Sequence, residues 1–285
     1  MKKNRWLKIT FSGLLAVGIL AGLLLPVLAL IEGEDVTISS LGGGSPDIEV
    51  SSNGQFVAVA YFKQENGDGA VYVKSATAAD GWLTSSLVGF GSNPQLIFKA
   101  NSTDTVYVVW ARSDGAAIQS AECILAALTA PACTPGSVDV RTAATGSLEN
   151  PDIAVSSNGF IHVAWVNDGV IETARSTSAN SLGGWSSAAT ISGGGNDQKP
   201  ALAWASGDSG RLHLVFLRGA TPTSVEYRRT ADSSHNWTST QNFALGAKVL
   251  GGGVHDSLNN PTIAASGSNV FVAFDAHRTS SNSLA

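Results

Sequence analysis

Three arginines, Arg112, Arg218 and Arg278, are the side chains in this sequence best suited to seizing an anion. A guanidinium presents a planar fork of N–H donors that matches a carboxylate bidentately, so arginines converging from separate segments make a carboxylate site. Each lies shortly after an apolar run that ends on an aromatic, at Trp110, Phe216 and Phe274. Asp114, Asp168, Asp275 and His277 occupy the same kind of place and add hydrogen-bond acceptors and an imidazole. These seven residues are the candidate ligand-binding set, and no catalytic residue is assigned.

Other chemistry is thinner. His162 and His213 each stand three residues before an aromatic inside an apolar run, which reads as two hydrogen-bonded interior histidines. A metal pair would need a carboxylate at fixed spacing, and there is none, so neither a metal nor a cofactor is expected. Gly42-Gly43-Gly44, Gly193-Gly194-Gly195 and Gly251-Gly252-Gly253 lack the Lys-Ser/Thr of a phosphate loop and read as linkers. No Gly-x-Ser-x-Gly elbow or His-Glu-x-x-His occurs. Cys123 and Cys133 suit a disulfide stapling a local excursion, with a metal pair or free thiols as alternatives.

The elements that must position these groups are repeats. Copies of one unit begin at Pro46, Pro94, Pro151, Pro200 and Pro261, a spacing of about 50 residues lengthened by excursions around the cysteines and across 241–259. Asn150-Pro151-Asp152-Ile153-Ala154-Val155 starts the clearest copy: a short strand, the Asn158-Gly159 turn, then a second strand ending on Trp165. Asn53-Gly54 and Asn158-Gly159 suit type I′ hairpins. The second strand is apolar at nearly every position, so both its faces must be covered. A third strand alternates more openly, as in Ile171-Glu172-Thr173-Ala174-Arg175, and a polar turn with Trp82, Trp185 or Trp237 precedes a weak fourth. Four antiparallel strands per unit, the second buried on both faces, predict an all-β fold: a β-propeller of four-stranded blades, about five of them. Asp35-Val36-Thr37-Ile38-Ser39 reads as an outermost strand that could complete the last blade. The last copy runs to Ala285 without a convincing third strand, so the expectation is an incomplete ring, with a thin fifth blade as the alternative.

Lys2, Lys3, Arg5 and Lys8 followed by an apolar run from Ile9 to Ile31 make residues 1–31 a signal peptide, or an uncleaved membrane anchor, ahead of a propeller domain at 32–285. Without that segment 13 basic residues face 22 acidic ones, a net charge of −9. An acidic exported domain excludes nucleic acid as a partner and leaves the membrane only the N-terminal segment to hold. Outside the cytoplasm, at the cell surface or beyond, the disulfide can persist.

Thr230-Ala231-Asp232-Ser233-Ser234-His235-Asn236-Trp237 resembles the Asp-box, or BNR repeat, of sialidase-like propellers, whose pattern is Ser/Thr-x-Asp-x-Gly-x-Thr-Trp. Thr230, Asp232 and Trp237 match, while Ser234 and Asn236 depart. Ser75 to Trp82 and Ser176 to Trp185 are worn versions at the same place in their units. The resemblance implies a structural turn for Thr230, Asp232 and Trp237, remote from any active site. It also implies a substrate carboxylate held by three arginines, with a Tyr–Glu pair and an Asp acid/base. The family's early Phe/Tyr-Arg-Ile-Pro motif is absent, and Glu226 and Tyr227 are strand neighbours that point to opposite faces.

In a four-stranded meander the second-to-third loops and the inter-unit links share one end. That end carries the candidate set and, in the links, Asn196, Asp197, Gln198, Lys199, His255 and Asp256. The expected function is a non-catalytic module binding a glycan or an extracellular protein there. The alternatives are a sialidase-like glycoside hydrolase acting on acidic sugars and a surface scaffold. Within the clearest unit the expected site is the loop after Trp165, at Asn167-Asp168, and Asn150 to Trp165 is expected to be scaffold.

Overall fold

A computed structural model describes residues 44–65, 68–134, 138–143, 146–207, 210–222, 224–231, 235–238 and 257–277. Residues 1–31, the strand expected at Asp35–Ser39, Asp232 and Arg278 lie outside the described residues, as does the side chain of His277.

The described residues form eighteen strands and no helix. In the first blade β1 (Gly44–Val50), β2 (Phe56–Glu65) and β3 (Asp68–Thr77) pair antiparallel, with β4 (Gly81–Trp82) on the outer edge of β3. The next strand, β5 (Ser86–Phe98), serves two blades: its first part pairs β3, and from Gly91 onward it pairs β6 (Thr105–Arg112) as the innermost strand of the second blade. β7 (Ala117–Ile124) follows, flanked by β8 (Ala132–Cys133) and β9 (Val138–Thr142). The third blade is β10 (Leu148–Val155), β11 (Ile161–Asn167), β12 (Val170–Arg175) and β13 (Ala189–Thr190). The fourth is β14 (Gln198–Ala205), β15 (Arg211–Arg218) and β16 (Ser224–Arg229), closed by a bridge between Thr230 and Trp237. β17 (Ser257–Ser266) and β18 (Asn269–His277) are the described part of the fifth.

Each hydrophobic cluster lies between two consecutive blades, and the period of two along a strand decides which cluster a residue joins. Val106, Val108 and Trp110 pack toward the first blade, whereas Tyr107, Val109 and Ala111 pack toward the third. Ile161, Val163 and Trp165 face the second blade, whereas Ala164 and Val166 face the fourth. That division is why the second strands are apolar at nearly every position between blades. Each fully buried Val, Leu or Phe there stabilises the ring by about 1.5–3 kcal/mol. The outer faces of the array are uncovered: Ile48 and Val50 on the first blade and Phe271 on the last are 58%, 49% and 63% exposed.

The Asn-Gly turns differ from the type I′ expectation. Gly54 and Gly159 have φ of 69° and 84°, but Asn53 and Asn158 keep negative φ. The Gly54 and Gly159 N–H groups donate to Ser51 and Ser156 carbonyls, so glycine closes a longer loop rather than sitting at the centre of a two-residue one. Ser51 and Ser156 hydroxyls donate to Asn53 and Asn158 Oδ1, which holds the asparagines in place.

Cys123 and Cys133 form the disulfide, cross-linking β7 to β8. At the Asp-box position Thr230 Oγ1 accepts the Leu212 N–H at 3.0 Å, and Ser176 Oγ accepts the Ile161 N–H at 3.0 Å. Trp237 Nε1 donates to Thr173 Oγ1 of the third blade at 3.0 Å, so these turn residues join strands and blades.

Candidate functional site

The starts of the five units meet around one axis. Each inner strand starts with a register shift, and the residue before the proline has positive φ: Ser45 at 47°, Asn93 at 51°, Asn150 at 47°, Lys199 at 49° and Asn260 at 45°. Bulges at strand starts re-aim side chains, and here they turn five polar groups onto a common rim. The left-handed conformation costs a non-glycine residue of order 1–2 kcal/mol, least for Asn. Three of the five positions are Asn.

The rim encloses a cavity of about 510 Å³ lined by these five residues, by Pro46, Pro151, Pro200 and Pro261, and by Gln95, Asp152, Ala201 and Thr262. Below it a second cavity of about 370 Å³ runs between the inner strands past Asp47, Glu49 and Trp204. Rim residues are joined sideways. Ser45 Oγ donates to Asn93 Oδ1 at 3.0 Å, and Asn93 Nδ2 donates to Asn150 Oδ1 at 3.0 Å. Lys199 Nζ donates to Asn259 Oδ1 and, at 3.0 Å, to Asn260 Oδ1, and Asn260 Nδ2 donates to Asp275 Oδ2 at 2.7 Å.

Asp47 and Asp152 follow the prolines of the first and third blades. Asp47 Oδ2 accepts the Leu96 N–H at 2.7 Å and Asp152 Oδ2 accepts the Leu202 N–H, each on the inner strand one blade further round. Burial raises the Asp47 pKa, opposed by the Leu96 and Ile48 N–H groups. Glu49 is pushed up to about 7, first by burial and then by the charge of Asp47. Burial also takes Asp152 to about 7 against the Leu202 N–H, helped by the charges of Asp47 and Glu49. Three carboxyl groups thus share one channel, two of them exchanging protons near neutrality. Hydroxyl, amide, carboxyl and ammonium groups around a cavity offer donors and acceptors to a polyhydroxylated ligand.

The structure distributes the sequence-derived candidates differently. Arg112 Nε lies 2.7 Å from Asp114 Oδ1 within its own turn. Arg218 Nη1 lies 3.2 Å from Glu226 Oε1, and its Nε 3.9 Å from Asp197 Oδ1. Asp168 Oδ1 accepts the Ser147 N–H at 2.9 Å. None of these four candidates lines the axial cavities; Asp275 reaches the rim through Asn260. Asn150 and Asp152, expected to be scaffold, are rim and channel residues, and Lys199 of the links joins them. The readable signal was a polar residue, Asp47, Gln95, Asp152 or Thr262, directly after four of the five unit prolines on otherwise apolar strands.

His162 and His213 are buried, at 1% exposure each, and bonded as expected: His213 Nδ1 lies 2.7 Å from the Tyr227 hydroxyl and His162 Nδ1 3.1 Å from His235 Nδ1. Among the described residues no group of three or more His, Cys, Asp or Glu could hold a metal.

Radial blades around an axial opening define the chain as a β-propeller. Solved propeller structures agree. The chain is similar to the Penicillium chrysogenum α-L-arabinanase complexed with arabinobiose (11% identity, 81% of this chain and 74% of that one, TM-score 0.54). It is also similar to an α-L-arabinofuranosidase of Fusarium graminearum bound to an iminosugar inhibitor (10% identity, 80% and 73%, TM-score 0.51). A third is the catalytic domain of a Coprinopsis cinerea α-L-arabinofuranosidase (12% identity, 88% and 89%, TM-score 0.50). At these identities the likeness shows the fold. No family profile matches the sequence, and no curated protein does.

Proposed function

We propose that this chain is an exported carbohydrate-binding β-propeller that holds a sugar in the axial cavity. The observation that carries the reading is the ring of five left-handed pre-proline residues, which aims hydroxyl, amide and ammonium groups into one opening. Sugar hydroxyls both donate and accept, and a rim of amides answers both roles without demanding a charge. The Cys123–Cys133 disulfide and the basic-then-apolar N-terminus support export.

A second reading has its own observation. Glu49 and Asp152, both raised to about 7 and lining the same channel, would serve as the two carboxyl groups that glycoside hydrolysis uses as acid and base or nucleophile. Calorimetric titration with arabino-, galacto- and xylo-oligosaccharides, run beside hydrolysis assays on the matching chromogenic glycosides, separates the two. Saturable binding without turnover, abolished by Asn150→Ala, is expected. Turnover lost in Glu49→Gln or Asp152→Asn would replace the binding module with the hydrolase, and no binding to any sugar would sink both.

A further inference from the structure

At the rim one blade breaks the pattern. Four pre-proline positions carry Ser or Asn, whereas the fourth blade carries Lys199, a residue type with no preference for the left-handed conformation it holds at φ 49°. Backbone strain of this kind persists where the surroundings enforce it, and it gathers at ligand sites. Lys199 is the single cation among the described residues lining either axial cavity. Its Nζ donates to Asn259 and Asn260, which clips the fourth blade to the fifth and uses two of its three N–H bonds. Amide oxygens do not neutralise it, and no carboxylate of the described residues forms an ion pair with it; Asp275 reaches it only through Asn260. Two residues along the strand stands Ala201, where the other blades carry Asp47, Gln95, Asp152 and Thr262, so the small side chain leaves space beside the ammonium group.

We propose that the axial cavity selects acidic sugars, the carboxylate of a uronic acid docking on Lys199 while the sugar hydroxyls engage the rim amides. This rests on the reading of the axis as a sugar site and names its ligand class. Below about pH 7 Glu49 and Asp152 hold protons and present O–H donors instead of charges that would repel an anion.

The test is calorimetry at pH 6 with a trigalacturonate, its methyl ester, which has the same shape and no charge, and a neutral galactotriose. The free acid is expected to bind at least about tenfold more tightly than the ester, and the gap to shrink when about 0.5 M salt screens the pair. Lys199→Asn, which installs the residue of three other blades, is expected to abolish the gap between acid and ester. Equal affinity for acid and ester overturns the proposal, as does a gap that survives in Lys199→Asn. If that variant does not fold, the acid–ester comparison on the unsubstituted protein still decides. Equal binding of all three sugars removes the acid selectivity alone, whereas binding of none removes the sugar site with it.

Discussion

His235 Nδ1 lies 3.1 Å from His162 Nδ1, so one imidazole donates to the other across the junction of the third and fourth blades. Trp237 Nε1 can only donate, and it donates to Thr173 Oγ1. Thr173 Oγ1 also lies 3.0 Å from His235 Nε2, and with both rings neutral one Nδ1 donates to the other. His162 Nε2 is buried with no hydrogen-bond partner among the described residues. The His162 ring stacks with those of Trp204 and His235 at the junction of the third and fourth blades, and an added proton would place a charge inside that buried stack.

Acid should therefore loosen that junction. Burial lowers His162 to about 3 and His235 to about 4, with Arg175 nearby adding repulsion. Unfolded histidine takes a proton near 6.5. The unfolded chain thus binds more protons between these values, and the stability contributed by the neutral pair is full above pH 6.5 and lost as pH falls toward 3 to 4. Melting temperatures at pH 7.5 and 4.5 should fall further for the wild type than for His162→Leu. Parallel curves would show that the pair does not titrate with unfolding.

Glu49 acts with the opposite sign. Its pKa rises from 4.5 to about 7 on folding, so the native state holds the extra proton, and stability is lost as pH rises through that interval. Glu49→Gln should match the wild type at pH 4 and exceed it at pH 8.5 in urea denaturation. A variant no more stable at pH 8.5 would contradict this.

Removing the acceptor at Asp152 should weaken the contact between the third and fourth blades. Asp152→Ala leaves the Leu202 N–H facing a narrow channel, a loss of about 1–3 kcal/mol. Asp152→Asn retains an acceptor oxygen and should lose less. Equal losses in chemical denaturation would mean that charge, rather than the acceptor, holds the strands.

Gly91 is the joint at which β5 leaves the first blade for the second. A Cβ there would lie 2.0 Å from the Ala111 carbonyl oxygen and 2.6 Å from the Trp110 ring, so one methyl group collides with fixed backbone. Gly91→Ala should destabilise by about 1–3 kcal/mol or more, as overpacking does, whereas Gly219→Ala, with nothing within 4 Å, meets only the strain of its positive φ. Thermal melts of the two variants check the order.

Reducing the Cys123–Cys133 bond frees a ten-residue separation in the unfolded chain and should cost about 2–3 kcal/mol. Cys123→Ser with Cys133→Ser, compared with the wild type in guanidinium, measures it.

The linear sequence determined the repeat, the strand order within a unit and the two-faced burial of the second strands. Each of these is a matter of local periodicity: Trp110 and Val109 alternate, and alternation is legible in ten residues. It also pointed to the Cys123–Cys133 disulfide ahead of a metal pair or free thiols, and the structure forms that bond. Tertiary structure decided where the chemistry lies. Asp47, Asp152 and Lys199 are separated by 47 or more residues, and each alone is a polar residue at the start of a strand. They converge because every unit is set around the axis from the one before, and the bulge at each proline turns the preceding side chain inward. Arg112 and Arg218 share a place in their units too, but each is held locally, by Asp114 in one turn and by Glu226 from the adjoining strand in the other. Equivalent position in a repeat aligns backbones. The partners that fix a long side chain come from whichever strand lies alongside, and no spacing in the sequence records them.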